Sequence, residues 1–255
     1  KQVKRVLPKS PSFAAVAVSG SAVMTKVIYM DSALSEEEME AQIEIEADNL
    51  IPYSLDEVNI DFETLSSNRS DPTKVDVLLS ACRSENIDSL IDSLDAVNLE
   101  AKVVDVEGYA LGRSFDVITK QLPEDVNDKV VALVDIGANI TTFSVVENGE
   151  TTFVREQAFG GEQFTQSILS FYGMTYEQAE KAKLAGELPR NYMFEVLSPF
   201  QTQLLQQIKR TLQIYCTSSG QDKVDHIVLC GGTANLEGMT NLMINELGVN
   251  TVIGD

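Results

Sequence analysis

Histidine occurs once in this chain, at His226, and cysteine three times, at Cys82, Cys216 and Cys230. One histidine excludes a multi-histidine metal site and leaves only a Ser-His-Asp triad built on His226 itself. His226 opens an apolar run ending at Cys230, so a structural place at a strand start is the expectation. Three widely spaced cysteines without CxxC spacing argue against a disulfide framework and for a reducing compartment. Basic residues are also scarce: 19 Lys and Arg stand against 39 Asp and Glu, a net charge of -20. Such a surface repels phosphate backbones and anionic lipid headgroups, which excludes nucleic acid as the main partner and favours a basic one. No stretch reaches the roughly 20 apolar residues of a membrane span, and Lys1 to Ser10 lacks the apolar run of a signal peptide. A soluble cytoplasmic protein is expected.

What is present is an ordinary globular balance, 44% apolar and 23% charged over 255 residues, enough for one large or two coupled domains. Lys1 to Pro11 is basic and turn-prone, and Phe13 to Val18 alternates as a strand with no motif before it. Val249 to Ile253 reads as a buried strand near the other end. Both ends read as those of a fragment entered partway through a domain. Val27 to Met30 is strand-like, and Ser35 with Glu38 forms an S-x-x-E capping box that starts a helix. Met39, Ile43, Ala47 and Leu50 make its apolar stripe; Glu36, Glu37, Glu40, Glu44 and Asp48 charge the other faces, and Pro52 ends it. Strands follow at Val58 to Leu65 and Lys74 to Cys82, joined by a polar loop from Ser66 to Pro72. Ser84 then caps a helix with Ile87, Leu90, Ile91, Leu94 and Val97 at helical spacing. Lys102 to Val106 is a strand and Glu107 to Ile118 a helix. The stretch from Gln121 to Asp128 is the best candidate linker.

After it, Val130 to Ile136 is a continuous apolar run, the mark of a strand buried on both faces. Thr142 to Val146 and Thr151 to Phe159 form a meander with a turn at Asn148-Gly149. Helices are expected at Glu162 to Tyr172, Tyr176 to Ala185, Pro199 to Thr217 and Ala234 to Leu247, with a strand from Val224 to Leu229.

Three glycine junctions could carry chemistry. Asp135-Ile136-Gly137-Ala138-Asn139-Ile140-Thr141-Thr142 leaves one strand and enters another; its amides and hydroxyls could cradle phosphate, and Asp135 could hold a magnesium-bound water. The alternative is an ordinary turn with a capping aspartate. Gly160-Gly161-Glu162 begins a helix. Glu180 and Lys183, one turn apart, could clamp a ribose or form a surface pair. Cys230-Gly231-Gly232-Thr233-Ala234-Asn235 joins a strand to an expected helix, where close backbone approach and the helix dipole would favour a phosphorylated or flat ligand. Taken singly, each junction is equally at home as a packing feature.

Their order resembles the second half of the actin/Hsp70/sugar-kinase ATPase fold. Gly20-Ser21, the Glu-rich helix from Met39 to Leu50, Ile51-Pro52-Tyr53, Asp76 to Arg83, Lys102 to Glu107 and Asp135-Ile136-Gly137 together resemble the PilM family of type IV pilus assembly proteins, relatives of FtsA. The resemblance implies an α/β actin-like (ribonuclease H-like) two-domain fold with an FtsA-type inserted subdomain. Residues 1–21 and 102–122 would be the remainder of the first half and 22–101 the insert. Residues 129–255 would be the second half, with a helical subdomain at about 173–223. It implies bound ATP or ADP with Mg2+: Asp135, Gly137, Ala138, Asn139, Thr141 and Thr142 as the second phosphate motif, Gly160 and Gly161 lining the same cleft, Glu180 and Lys183 as the ribose clamp. Gly231, Gly232, Thr233 and Ala234 would be the adenosine motif, with Asp135 reaching magnesium through water.

The implied role is a scaffold at the inner-membrane platform that holds the N-terminal cytoplasmic tail of PilN and connects to pilus motor ATPases. No catalytic residue is assigned, and the implied activity is at most slow ATP hydrolysis. The family's first phosphate motif has no counterpart here. A phosphotransferase on the same fold, of the sugar or acetate kinase kind, is the enzymatic alternative, and a nucleotide-independent interaction module is the other.

Overall fold

A computed structural model describes residues 11–68, 71–122, 126 and 128–254. The expected basic stretch Lys1 to Ser10, residues 69 and 70 of the polar loop, and residues 123–125 and 127 of the candidate linker lie outside the described residues. The chain divides into two compact units, one up to Glu107 and one from Gly108.

In the first unit, β1 (Phe13–Val18) runs parallel to β5 (Glu100–Val106). The other strands, β2 (Val23–Asp31), β3 (Val58–Ser67) and β4 (Lys74–Arg83), form an antiparallel sheet with β4 in the middle. Its register pairs Met30 with Val75 and Ile28 with Val77, so their side chains share one face. The helix α1 (Glu36–Leu50) lays Ile43 and Ala47, both buried, on that face. Its first turn carries the capping box read from sequence: Glu38 N–H donates to Ser35 Oγ, and Ser35 N–H donates to Glu38 Oε2. Glu36, Glu37 and Glu38 also complement the positive end of the helix dipole.

The helix α2 (Ser84–Asp95) corrects one expectation. Arg83, not Ser84, is the N-cap residue, and Ser84 Oγ accepts a hydrogen bond from Asn59 Nδ2 at 3.0 Å. Its apolar stripe packs toward β5, β1 and β4 but is only half-buried.

The helix α3 (Glu107–Arg113) starts on the last residue of the first unit and carries the chain into the second, where the single turn α4 (Phe115–Ile118) follows. A continuous helix over this span is thus replaced by two, broken at Ser114, whose hydroxyl donates to Leu111 O at 2.6 Å. A five-stranded sheet in the order β10-β9-β6-β7-β8 follows. Its strands are β6 (Val130–Ile136), β7 (Thr141–Glu147), β8 (Glu150–Gln157), β9 (His226–Cys230) and β10 (Asn250–Ile253). The β10, β9 and β6 strands run parallel, and β6, β7 and β8 form the antiparallel meander.

Alternation along β6 explains why its sequence is apolar up to Asp135. Val131 and Leu133 face a core with Phe115, Ile118 and Leu122, whereas Ala132, Val134 and Ile136 face the larger helical core. Residues on the near side of the candidate linker are therefore held by the sheet beyond it, and the unit boundary falls earlier, at Glu107.

The larger core is covered by α5 (Gly161–Tyr172), α6 (Tyr176–Ala185) and α7 (Ser198–Ser219), the last preceded by a π-helical turn at Met193–Leu197. Of the apolar stripe Phe200, Leu204, Ile208, Leu212 and Tyr215 expected on α7 from its helical spacing, all but Leu212 are buried, and Leu212 is half-buried. Burying a side chain of this size stabilises a fold by about 1.5–3 kcal/mol, so this stripe fixes the helical layer against the sheet. The helix expected from Ala234 starts later: a 3-10 turn covers Gly232–Asn235, and α8 is Met239–Leu247. Gly238, in left-handed backbone at φ 75°, separates the two.

Candidate functional site

A cleft of about 510 Å³ opens within the second unit, lined by the β6–β7 hairpin, the start of α5, one face of α6 and the turn after β9. Of the residues singled out in sequence, Gly137, Ala138, Gly161, Glu180, Lys183, Gly232 and Thr233 line it. Four stretches separated by up to about a hundred residues are thus brought to one cavity.

The hairpin shapes the floor. Gly137 N–H donates to Ile140 O at 3.0 Å and closes the turn. Its carbonyl accepts from Gly161 N–H at 2.9 Å and from Thr233 Oγ1 at 3.1 Å, while Ala138 O accepts from Glu162 N–H at 2.7 Å. Hairpin carbonyls therefore cap the first amides of α5, and those amides are spent on the protein. The N–H groups of Ala138 and Asn139 make no hydrogen bond among the described residues, so the hairpin tip carries free amide donors.

Other sequence candidates lie around or beneath the cleft. Asn139 is exposed at the hairpin tip, and Gly160 joins β8 to α5, its N–H donating to Gln163 Oε1 at 2.8 Å. Thr141 and Thr142 are buried, and Thr141 Oγ1 donates to Phe159 O at 2.7 Å, so that hydroxyl braces the sheet. Ala234 is fully buried. Asp135 sits half-buried at the end of β6, in register with Cys230, and burial raises its carboxyl above the usual range. The Cys230 thiol is pushed up to about 11, first by burial and then by Asp135. The Gly231-Gly232 junction opens a 3-10 turn rather than an α-helix, which removes the expected helix-dipole contribution at that point.

The wall on α6 is polar. Lys183 Nζ donates to Glu180 Oε1 and, at 2.8 Å, to Thr165 Oγ1; Thr165 Oγ1 donates to Glu180 Oε1 at 2.6 Å. The Lys183 and then the Thr165 hydrogen bonds hold the Glu180 carboxyl below its ordinary value. Tyr176 OH donates to Glu162 Oε2 at 3.0 Å across the cleft mouth. Phe164, Thr165, Tyr176, Leu184 and Leu236 line the cleft without having been singled out in sequence, while Glu162 and Asn235 stand in the two glycine junctions but were given no role there.

The donor set suits a phosphorylated, sugar-bearing molecule: free amides at the hairpin tip and a carboxylate–ammonium pair on α6, with the apolar Phe164, Leu184 and Leu236 also in the lining. Among the described residues no group of three or more His, Cys, Asp or Glu side chains could hold a metal. A divalent ion here would take most of its ligands from phosphate and water, as Mg2+ ordinarily does, with Asp135 as an outer partner. Among the described residues no helix is long and apolar enough to cross a membrane.

Comparison with known proteins agrees with this architecture. The chain is similar to a solved structure described as a PilM-PilN type IV pilus biogenesis complex, with TM-score 0.75 and 25% identity over 94% of this chain and 68% of that one. The ethanolamine utilization protein EutJ from Carboxydothermus hydrogenoformans is similar in fold, with TM-score 0.52 and 22% identity over 67% of this chain and 56% of that one. A third similar structure is MreB 5 of Spiroplasma citri bound to AMPPNP, with TM-score 0.47 and 15% identity over 67% of this chain and 60% of that one. The fold is the α/β, actin-like one. Because the family model described as type IV pilus assembly protein PilM matches residues 1–255, the chain belongs to the PilM family.

Proposed function

We propose that this chain is a nucleotide-binding, actin-like scaffold of the type IV pilus inner-membrane platform that holds the N-terminal cytoplasmic tail of PilN. The observation that carries the reading is the likeness, over 94% of the chain, to a protein solved in a PilM-PilN complex. A net charge of -20 suits a partner whose cytoplasmic tail is rich in Lys and Arg. The protein would work on the cytoplasmic side, peripheral to the membrane through that partner.

ATP or ADP would occupy the second-unit cleft, its phosphates on the amides of Ala138 and Asn139 and its ribose against Glu180, with Thr233 and Gly232 toward the base. Mg2+ bound with the nucleotide would neutralise phosphate charge that the neutral hairpin tip leaves uncompensated. Asp135 is the side chain we assign to the outer sphere of that ion. We also assign residues 22–101 as the inserted subdomain, since β2, β3, β4 and α1 close a sheet and core of their own. Residues 1–21 and 102–122 would be the first half; the parallel pairing of β1 with β5 supports the part up to Val106, whereas Phe115, Ile118 and Leu122 pack with the second sheet. Residues 129–255 would be the second, including a helical part at about 173–223.

Family membership favours the scaffold over a phosphotransferase. The test is calorimetric titration with Mg-ATP, with phosphate release followed in the same sample, then binding of a PilN tail peptide. Nucleotide binding with little turnover and saturable capture of the peptide is expected. Rapid turnover would favour the enzyme, and a chain that takes the peptide but no nucleotide would be an interaction module.

A further inference from the structure

The cleft wall contains a fully buried hydroxyl that neither the glycine motifs nor the Glu180–Lys183 pair accounts for. A threonine inside a helix ordinarily returns its hydroxyl to the carbonyl four residues earlier. Thr165 has that choice, with Gly161 O at 3.2 Å, but Glu180 Oε1 is much nearer, at 2.6 Å. Lys183 Nζ donates to the same hydroxyl at 2.8 Å and to the same carboxylate oxygen. The three groups close a ring across two helices, α5 and α6, and Thr165 is the member with no exposed surface.

Donor and acceptor arithmetic gives the ring a direction. A carboxylate oxygen has two lone pairs, and an ammonium has three N–H donors. Glu180 Oε1 spends both lone pairs on Thr165 and Lys183, and Lys183 spends two donors on Thr165 and Glu180. Among the described residues, Glu180 Oε2 accepts from no protein donor, and one Lys183 N–H is left over. Both groups line the cleft. An oxygen with two open lone pairs, held still beside one spare donor, is matched by a pair of neighbouring sugar hydroxyls.

We propose that Thr165 is a positioning residue: its buried hydroxyl locks Glu180 Oε1 so that Oε2 is presented to the 2′-hydroxyl side of a ribose, making the site selective for ribonucleotides over 2′-deoxyribonucleotides. The inference rests on the nucleotide reading of the cleft. Without the lock, the Glu180 side chain is held by Lys183 alone and sweeps through more rotamers, so the sugar contact loses its preorganisation.

The experiment compares Kd values of Mg-ATP and Mg-2′-deoxy-ATP for the wild-type chain, Thr165→Val, Thr165→Ser and Thr165→Ala. NMR titration of the Glu180 carboxyl accompanies it without nucleotide. The wild type is expected to prefer the ribonucleotide, and Thr165→Val and Thr165→Ala to lose about fivefold of that preference, the effect of one hydrogen bond. Thr165→Ser keeps the hydroxyl and should keep the preference. The Glu180 carboxyl should titrate at higher pH in Thr165→Val and Thr165→Ala only. Equal loss for both nucleotides, or an unmoved Glu180 titration, would overturn the positioning role and leave nucleotide binding standing. A wild-type chain that binds neither nucleotide would overturn the nucleotide reading and this inference with it.

Discussion

Gly161 and Thr233 meet across the cleft floor so closely that a methyl group added at Gly161 would stand 2.5 Å from Thr233 Oγ1. That hydroxyl is not idle, since it donates to Gly137 O at 3.1 Å, the carbonyl that also receives Gly161 N–H. Gly161→Ala therefore pushes on a group that ties the hairpin to the turn after β9. The expected cost is about 1–3 kcal/mol, read as a lower urea midpoint. Adding Thr233→Ala should recover part of it, because the methyl then has room; a double-mutant cycle measures the coupling. Strictly additive losses would show that the contact is relieved elsewhere.

The two glycines after β9 should behave oppositely. Gly231 has φ 83°, and a Cβ there would stand 2.3 Å from Asp135 Oδ1 and 2.6 Å from Ile136 O, a backbone atom that cannot swing aside. Gly231→Ala adds left-handed strain of about 1–2 kcal/mol to that overlap and should be among the most destabilising changes in the unit. Gly232 lines the cleft, but its Cβ position meets nothing within 4 Å. Gly232→Ala should stay within about 0.5 kcal/mol of the parent. Similar melting temperatures for the two variants would contradict this assignment.

How far this site was legible in the sequence depends on the range of each signal. The strand Val130–Ile136 and the Ser35–Glu38 cap were legible because their causes are local: burial on both faces, and a hydroxyl and carboxylate three residues apart. Glu180 and Lys183 were legible for the same reason, being one helical turn apart. Thr165 was not, since its partner lies 15 residues away on another helix and an isolated threonine in an amphipathic helix carries no mark. The helix expected from Ala234 is too long because Gly238, in left-handed backbone, is the N-cap from which α8 starts afresh. Ser84 misled because its sequence context fits a cap, and only the fold brings Asn59 to its hydroxyl.

Charge should govern how fast a basic tail arrives. With a net charge of -20 and Glu36, Glu37, Glu40 and Glu44 exposed along α1, long-range attraction adds to the encounter rate and is screened by salt. Stopped-flow association of a PilN tail peptide is expected to slow by about tenfold between dilute buffer and roughly 0.3 M salt, where the Debye length falls below 10 Å. Dissociation should change far less. An association rate indifferent to salt would assign the acidic surface to solubility alone.

Asp135 supplies the pH-dependent prediction, and its sign is opposite to that of most native carboxylates. Burial raises its carboxyl above the usual range, so the folded protein holds its proton to higher pH than the unfolded chain does. Below the ordinary aspartate value of about 4 both states are protonated and the residue costs nothing. As pH rises from there through the raised value, the unfolded chain ionises first and stability declines; above it the full cost persists. Asp135→Asn should therefore leave the urea midpoint unchanged at low pH and raise it near neutrality. It should also lower the Cys230 thiol from about 11, since Asp135 contributes to that elevation. The same variant should weaken Mg-ATP binding while leaving PilN-peptide binding intact. Lower stability near neutrality would mean that the ionised carboxylate is bound by the protein itself, and the outer-sphere magnesium role would have to be abandoned.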